Sequence, residues 1–226
     1  LGMPDGIRSV YLASDYSFGV DHFGIDGNDR GNLINFIGGH ARFLLDINCG
    51  TGDDTVLGHL DPMRLRLNAG HNRVVTGHTG AEVFAGAGHD RIQTSDGDNK
   101  IHGSSGVMEV TTGKGRDAIT TGSGPSHIIC KGGTNYIVLD QGASLIEITE
   151  GDVTLNVRRS GQLQKVKGFF KGQIDLSDWT PLGPINVHHA DNGDTFLTAG
   201  TERIQFIDTP LDVVTSAITS SSHLDE

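Results

Sequence analysis

His71 and His89 each stand directly after a glycine and lie eighteen residues apart. A chain that coils with that period would stack the two imidazoles on one edge, where such a pair can take zinc or copper. Zinc asks for a third and a fourth ligand, and none is evident, so a solvated histidine pair is the plainer reading. His188 and His189 are adjacent, and on a strand they would face opposite ways, which argues against joint ligation. For nucleophilic chemistry the best pair is Cys130 with His127. In a nine-residue repeat these fall at an outward strand position and at the start of the next turn, where no enclosed pocket is expected. The sequence has no G-x-S-x-G elbow, H-E-x-x-H pair or phosphate loop. The doublet Gly132-Gly133 lacks the helix that a dinucleotide fingerprint needs. These residues favour binding or structure over turnover.

Any elements that position such groups must be thin. The 226 residues include 33 glycines, about twice the usual share. Aromatics make up 6% and hydrophobics 35%, too little for a thick core of large side chains. Length alone allows one elongated domain or two small ones. A net charge of −11 argues against nucleic acid as a partner, since phosphate neutralisation needs clustered Lys and Arg. Cys49 and Cys130 are far apart and imply neither a zinc knuckle nor a disulfide framework. No apolar run is long enough to cross a bilayer, and the opening LGMPDGIRSV lacks the layout of a signal peptide. The expectation is a chain without a transmembrane segment, whose secretion signal, if any, lies elsewhere.

From Ile47, steps of nine residues meet Val56, Leu65, Val74, Val83, Ile92, Ile101, Val110, Ile119, Ile128, Ile137, Ile146 and Leu155. All are aliphatic and most are β-branched, which favours strands. Four residues before nearly every one stands a glycine, such as Gly88, Gly97, Gly106 and Gly115, marking a turn. The unit is a turn followed by a short strand. In the best copies, Ala85 to Gln93 and Thr112 to Thr120, the order is small-Gly-x-Gly-x-Asp-x-aliphatic-x.

That order resembles the G-G-x-G-x-D-x-U-x nonapeptide of the RTX, or haemolysin-type calcium-binding, family. The resemblance covers about half of the chain. It implies an all-β fold: a right-handed parallel β-roll, or β-solenoid, with two nonapeptides per coil and further strands capping both ends. Equivalent residues eighteen apart would then stack, and six coils would make a rod roughly 28 Å long. The family also implies calcium, held by the Asp at the sixth position of each nonapeptide with turn carbonyls, because calcium takes six to eight hard oxygens. Here the sixth positions of one edge are Asp54, Asn72, Asp90, Met108, Ser126 and Ser144, and those of the other are Met63, Ala81, Asn99, Asp117 and Asn135. The candidate ligands are therefore Asp54, Asn72, Asp90, Asn99, Asp117 and Asn135. The alternative is that Asn, Asp and Ser bond their own turns and form ladders that need no ion.

Residues 47–157 form the expected roll, 1–46 N-terminal strands or a cap, and 158–226 a C-terminal capping hairpin region with a polar tail. Upstream, Ile7, Tyr16, Ile25, Ile34 and Phe43 keep the interval but are offset by four residues. Outward positions should carry charge ladders, Arg64–Glu82–Lys100 on one sheet and Arg73–Arg91–Glu109 on the other, the two arginines repelling. Leu57, Val75, Phe84, Ile129, Val138 and Tyr136 are apolar at outward positions, either covered by flanking segments or forming a docking surface. The resemblance implies a non-catalytic structural or calcium-binding module of a secreted bacterial protein, a toxin, adhesin or exoenzyme. Such a module aids folding, type I secretion or docking, and its partners are other domains of a larger parent protein or a protein or carbohydrate ligand. The alternative is a polysaccharide-binding or polysaccharide-modifying module related to RTX-bearing epimerases and lipases. With only Tyr136 of three tyrosines in the repeat, binding is favoured over turnover. An ice-binding face would need a threonine row, and Thr111 and Thr120 belong to opposite sheets.

Overall fold

β-branched residues at every ninth position, separated by glycine turns, give strands too short to stand alone, so each must pair with the next coil. A computed structural model of the chain, describing residues 9–13, 22–37, 44–58, 62–219 and 224–225, shows that pairing. It is an all-β, parallel β-solenoid of about eight turns. Val74, Ile92, Val110, Ile128 and Ile146 face one another in register on successive strands, each eighteen residues from the last. Leu65, Val83, Ile101, Ile119, Ile137 and Leu155 form the facing column. Two nonapeptides therefore make one coil. Every residue of both seams is at most 2% exposed. Each buried aliphatic contributes about 1.5–3 kcal/mol, and the core is one side chain deep on each face.

The seams outrun the nonapeptide spacing at both ends. Upstream, Ile25 pairs with Ile47 and Ile34 with Val56, both 22 residues apart, so the four-residue offset is an insertion between Ile34 and Ile47 that lengthens a coil without breaking it. The partner of Ile34 in the preceding coil is Val10, 24 residues back. Ile7, Tyr16 and Phe43 lie outside the described residues. Downstream, Ile146 pairs with Val166 at 20 residues and Leu155 with Ile174 at 19. The additional residues sit in the corners, so the period slips while the register of the core does not.

The end of the stack is closed by an excursion. Val166 pairs with Phe206, and between them Ile185–His189, Thr195–Ala199 and Glu202–Ile207 form an antiparallel meander. The last two strands are the expected hairpin. Leu211–Ala217, expected as the end of that hairpin region, is instead an α-helix that buries Val214 and Ala217. The stretch Ser177–Leu182 is a 3-10 helix around the buried Trp179. With Phe169 set edge-on against Phe206 at 5.3 Å, these elements cover the last rung of the core, which removes an aggregation-prone edge.

The outward rows hold the expected charges in altered pairs. Arg64 donates to Glu82 at 2.8 Å and Arg91 to Glu109 at 2.8 Å. Arg73 lies beside Arg91, as anticipated. Lys100 lies beside Glu82 in register, but it is His102 Nε2 that lies 3.6 Å from that carboxylate. Pairs this exposed contribute about 0–1 kcal/mol each. Of the outward apolar residues, Val138 is buried, while Leu57, Val75, Phe84 and Ile129 are half-buried. Phe84 stacks on His102 at 4.6 Å, and Tyr136 stays 45% exposed.

Candidate functional site

A residue two positions before a seam aliphatic has the same strand parity, so its side chain points inward at the corner of the coil. That geometry governs all six candidate metal ligands. Asp54, Asn72, Asp90, Asn99, Asp117 and Asn135 are each at most 2% exposed. On one edge they form a continuous column. The backbone N–H and the side-chain amide of Asn32 both donate to Asp54 Oδ1, at 2.8 and 2.7 Å. The N–H of Asp54 donates to Asn72 Oδ1 at 3.0 Å, and Asn72 Nδ2 donates to Asp90 Oδ1 at 2.8 Å. Gly86 N–H closes the column on Asp90 Oδ2 at 2.7 Å. Above Asp90 the next rung carries Met108, then Ser126 and Ser144.

The other edge repeats the device over a shorter distance. Ala81 N–H donates to Asn99 Oδ1 at 2.9 Å, and the N–H and side-chain amide of Asn99 donate to Asp117 Oδ1 at 3.1 and 2.7 Å. Asn135 turns its amide to Gly132 O at 2.9 Å in its own turn. Alternation of Asn with Asp is the chemically consistent order. An ionised carboxylate only accepts, whereas an amide both accepts and donates, so each contact has a donor.

In this structure the candidate carboxylates are engaged by hydrogen-bond donors of the chain itself. Asp54 Oδ1, Asp117 Oδ1 and both oxygens of Asp90 already receive N–H groups, whose positive ends occupy the space a cation would need. Of the candidate Asp carboxylates, Asp54 Oδ2 and Asp117 Oδ2 are the oxygens left without a hydrogen bond, and they lie on opposite edges. Among the described residues no cluster of three or more His, Cys, Asp and Glu side chains is placed to hold a metal.

Burial pushes the Asp54 carboxyl up to about 6 despite the two bonds from Asn32 that pull it down. Burial raises Asp117 as well. An unfolded Asp titrates near 3.9, so between about pH 4 and pH 6 the folded chain holds the Asp54 proton that the unfolded chain has released. Stability from this group is therefore greatest below about pH 4, falls as pH rises through that window and levels off above about 6. Asp53, Asp175 and Asp194 shift the opposite way through backbone N–H bonds, so the whole-protein profile is a composite. Subtracting Asp54→Asn from the parent isolates the fall. Urea unfolding at stepped pH is expected to show that difference, and a flat difference between pH 4 and 6 would remove the buried ionisation from the account.

The remaining sequence candidates each engage a different neighbour. His71 and His89 are in register, with ring centroids 6.3 Å apart, but His71 lies 3.5 Å from Asp53 while His89 lies 2.7 Å from Glu109. His189 pairs with Thr195 Oγ1 at 2.9 Å. Cys130 is not at a turn. Two positions after the seam residue Ile128, Cys130 shares its parity and, at 0% exposure, enters the core as Thr76, Thr94, Thr112 and Thr121 do at the equivalent position, and burial pushes its thiol up to about 12. His127 faces outward to Glu147 at 2.7 Å. Sequence reasoning also passed over Asn32 and Gln164, both buried polar residues two positions before a seam aliphatic, a signal that would have found them. No protein-family model matches the chain, and no curated protein is found similar to it.

Proposed function

We propose that the chain is a non-catalytic β-roll module of a larger secreted bacterial protein, a rigid rod that aids folding, export or docking of its neighbours and that folds without calcium. The observation that carries this reading is the column Asn32–Asp54–Asn72–Asp90, joined by side-chain bonds and by the backbone N–H of Asp54 along one edge of two continuous aliphatic seams. In a solenoid each coil is stabilised by its two neighbours, so an unbroken register makes a stiff rod. The nonapeptide resemblance to the RTX family supports the secreted bacterial setting. Departures from its sixth-position Asp support ion-free folding, since amides supply the charge complement that a cation would otherwise give. Exposed Leu163, Phe170 and Leu211 belong to the last coils and the cap, which supports docking at that end.

Far-UV circular dichroism and thermal unfolding in EDTA, then in millimolar calcium, test the proposal. The expected result is one β-rich spectrum and one melting temperature under both conditions. A chain that is unfolded in chelator and folds on adding calcium would overturn ion-free folding.

A further inference from the structure

A groove of about 580 Å³ runs along one corner of the roll, crossing the strands instead of following them. It extends from His78 past Gln93, Thr111 and Lys131 to Glu150, one rung to the next. Five rungs at the strand spacing give a length of about 19 Å. Its far end coincides with a break in an otherwise regular ladder. Cys130 pairs with Ile148, but Lys131 pairs with Glu150, so Thr149 is an extra residue, bulged and tied by its hydroxyl to Cys130 O at 2.8 Å. Bulges of this kind re-aim side chains beside binding sites. Thr94 lies in the lining, 5% exposed, with a buried hydroxyl that has no hydrogen-bond partner.

The lining selects its ligand. Hydroxyl-bearing residues with the one amide of Gln93 make up half of the lining, and the charges cancel, Asp96 and Glu150 against Lys114 and Lys131. Neither a polyanion nor a polycation is favoured. A peptide would gain no strand pairing, because the groove crosses the sheet and offers no open backbone edge. A linear polymer of hydroxyl-bearing units, each advancing by about one rung, crosses polar side chains that change from step to step: Gln93 and Ser95, then Thr111 and Lys114, then Lys131, then Glu150. We infer that this groove is a binding site for a neutral linear polysaccharide. The inference is independent of whether the roll needs calcium.

The test is calorimetric titration of the full chain with hexasaccharides of β-1,4-glucose, β-1,3-glucose, α-1,4-glucose and β-1,4-xylose, with an alginate hexamer as the charged comparison. At least one neutral hexasaccharide is expected to bind. The double variant Gln93→Ala/Thr111→Ala should weaken it by about tenfold or more, with no change in melting temperature, since both side chains reach solvent. Lys131→Ala, a second groove variant, should also weaken it, whereas Lys100→Ala on the opposite sheet should leave it unchanged. Absence of binding by all four neutral sugars, tighter binding of alginate, or parent-like affinity in the groove variants would each overturn the assignment.

Discussion

Gly133→Ala is expected to lower the melting temperature by about 10 °C, while Gly161→Ala lowers it by about 3 °C or less. Both glycines sit in the left-handed region, with φ of +75° and +66°. An alanine there costs about 1 kcal/mol of backbone strain at either site. They differ in what a Cβ would meet. At Gly161 nothing lies within 4 Å, whereas at Gly133 the methyl would overlap the carbonyl oxygens of Gly115 and Lys114 in the rung beneath. Those are backbone atoms and cannot rotate away. Relief requires the rungs to part, which breaks the Thr134 N–H bond to Gly115 O and loosens the Ile119–Ile137 contact. The combined cost is about 3–5 kcal/mol, and about 2–4 °C is lost per kcal/mol in a chain of this size. Thermal unfolding followed by circular dichroism reads both variants. Equal shifts would show that close stacking of the turns contributes nothing beyond the torsion angle.

The parts of this fold that were legible in the sequence are those set by one repeated interval. Val110 could be placed between Ile92 and Ile128 because an aliphatic residue every ninth position leaves no other consistent register. Val166 and Ile174 could not, since corner insertions changed the interval to 20 and 19 residues while the core seats stayed put. Cys130 was misplaced because it was read as the start of a turn, whereas the position two after each seam aliphatic shares that residue's parity and is buried, as at Thr76, Thr94 and Thr112. The helix Leu211–Ala217 has two valines, a threonine and a serine in seven residues, a weak local signal, and its buried Val214 reflects packing that no short window contains. At the candidate site the columns were visible but their bonding was not. Knowing that Asn72 lies between Asp54 and Asp90 follows from the period; knowing that its amide bonds the Asp90 carboxylate required the geometry.

That bonding makes Asn72→Asp the sharpest substitution in the molecule. Asn72 now accepts from the N–H of Asp54, donates to Asp90 Oδ1, and donates to the carbonyls of Leu67 and Ala69 at 3.3 and 3.2 Å. A carboxylate at this position keeps only the accepting role. Three donations are lost, and a new negative charge faces Asp90 in a column that is almost fully buried. Losing the amide donor to the Asp90 carboxylate and leaving two buried negative charges uncompensated costs about 3–5 kcal/mol, so in EDTA the variant should melt about 10 °C lower than the parent. The loss should shrink at acid pH, where one member of the facing pair can hold a proton and regain a donor. Calcium should now help, because two stacked carboxylates without an amide between them give a cation oxygens that no N–H has claimed. The parent is expected to show no calcium-dependent shift and the variant a clear one. Equal calcium stabilisation of both proteins, or no destabilisation of the variant in EDTA, would overturn the proposal that the Asn–Asp alternation lets the column fold without an ion.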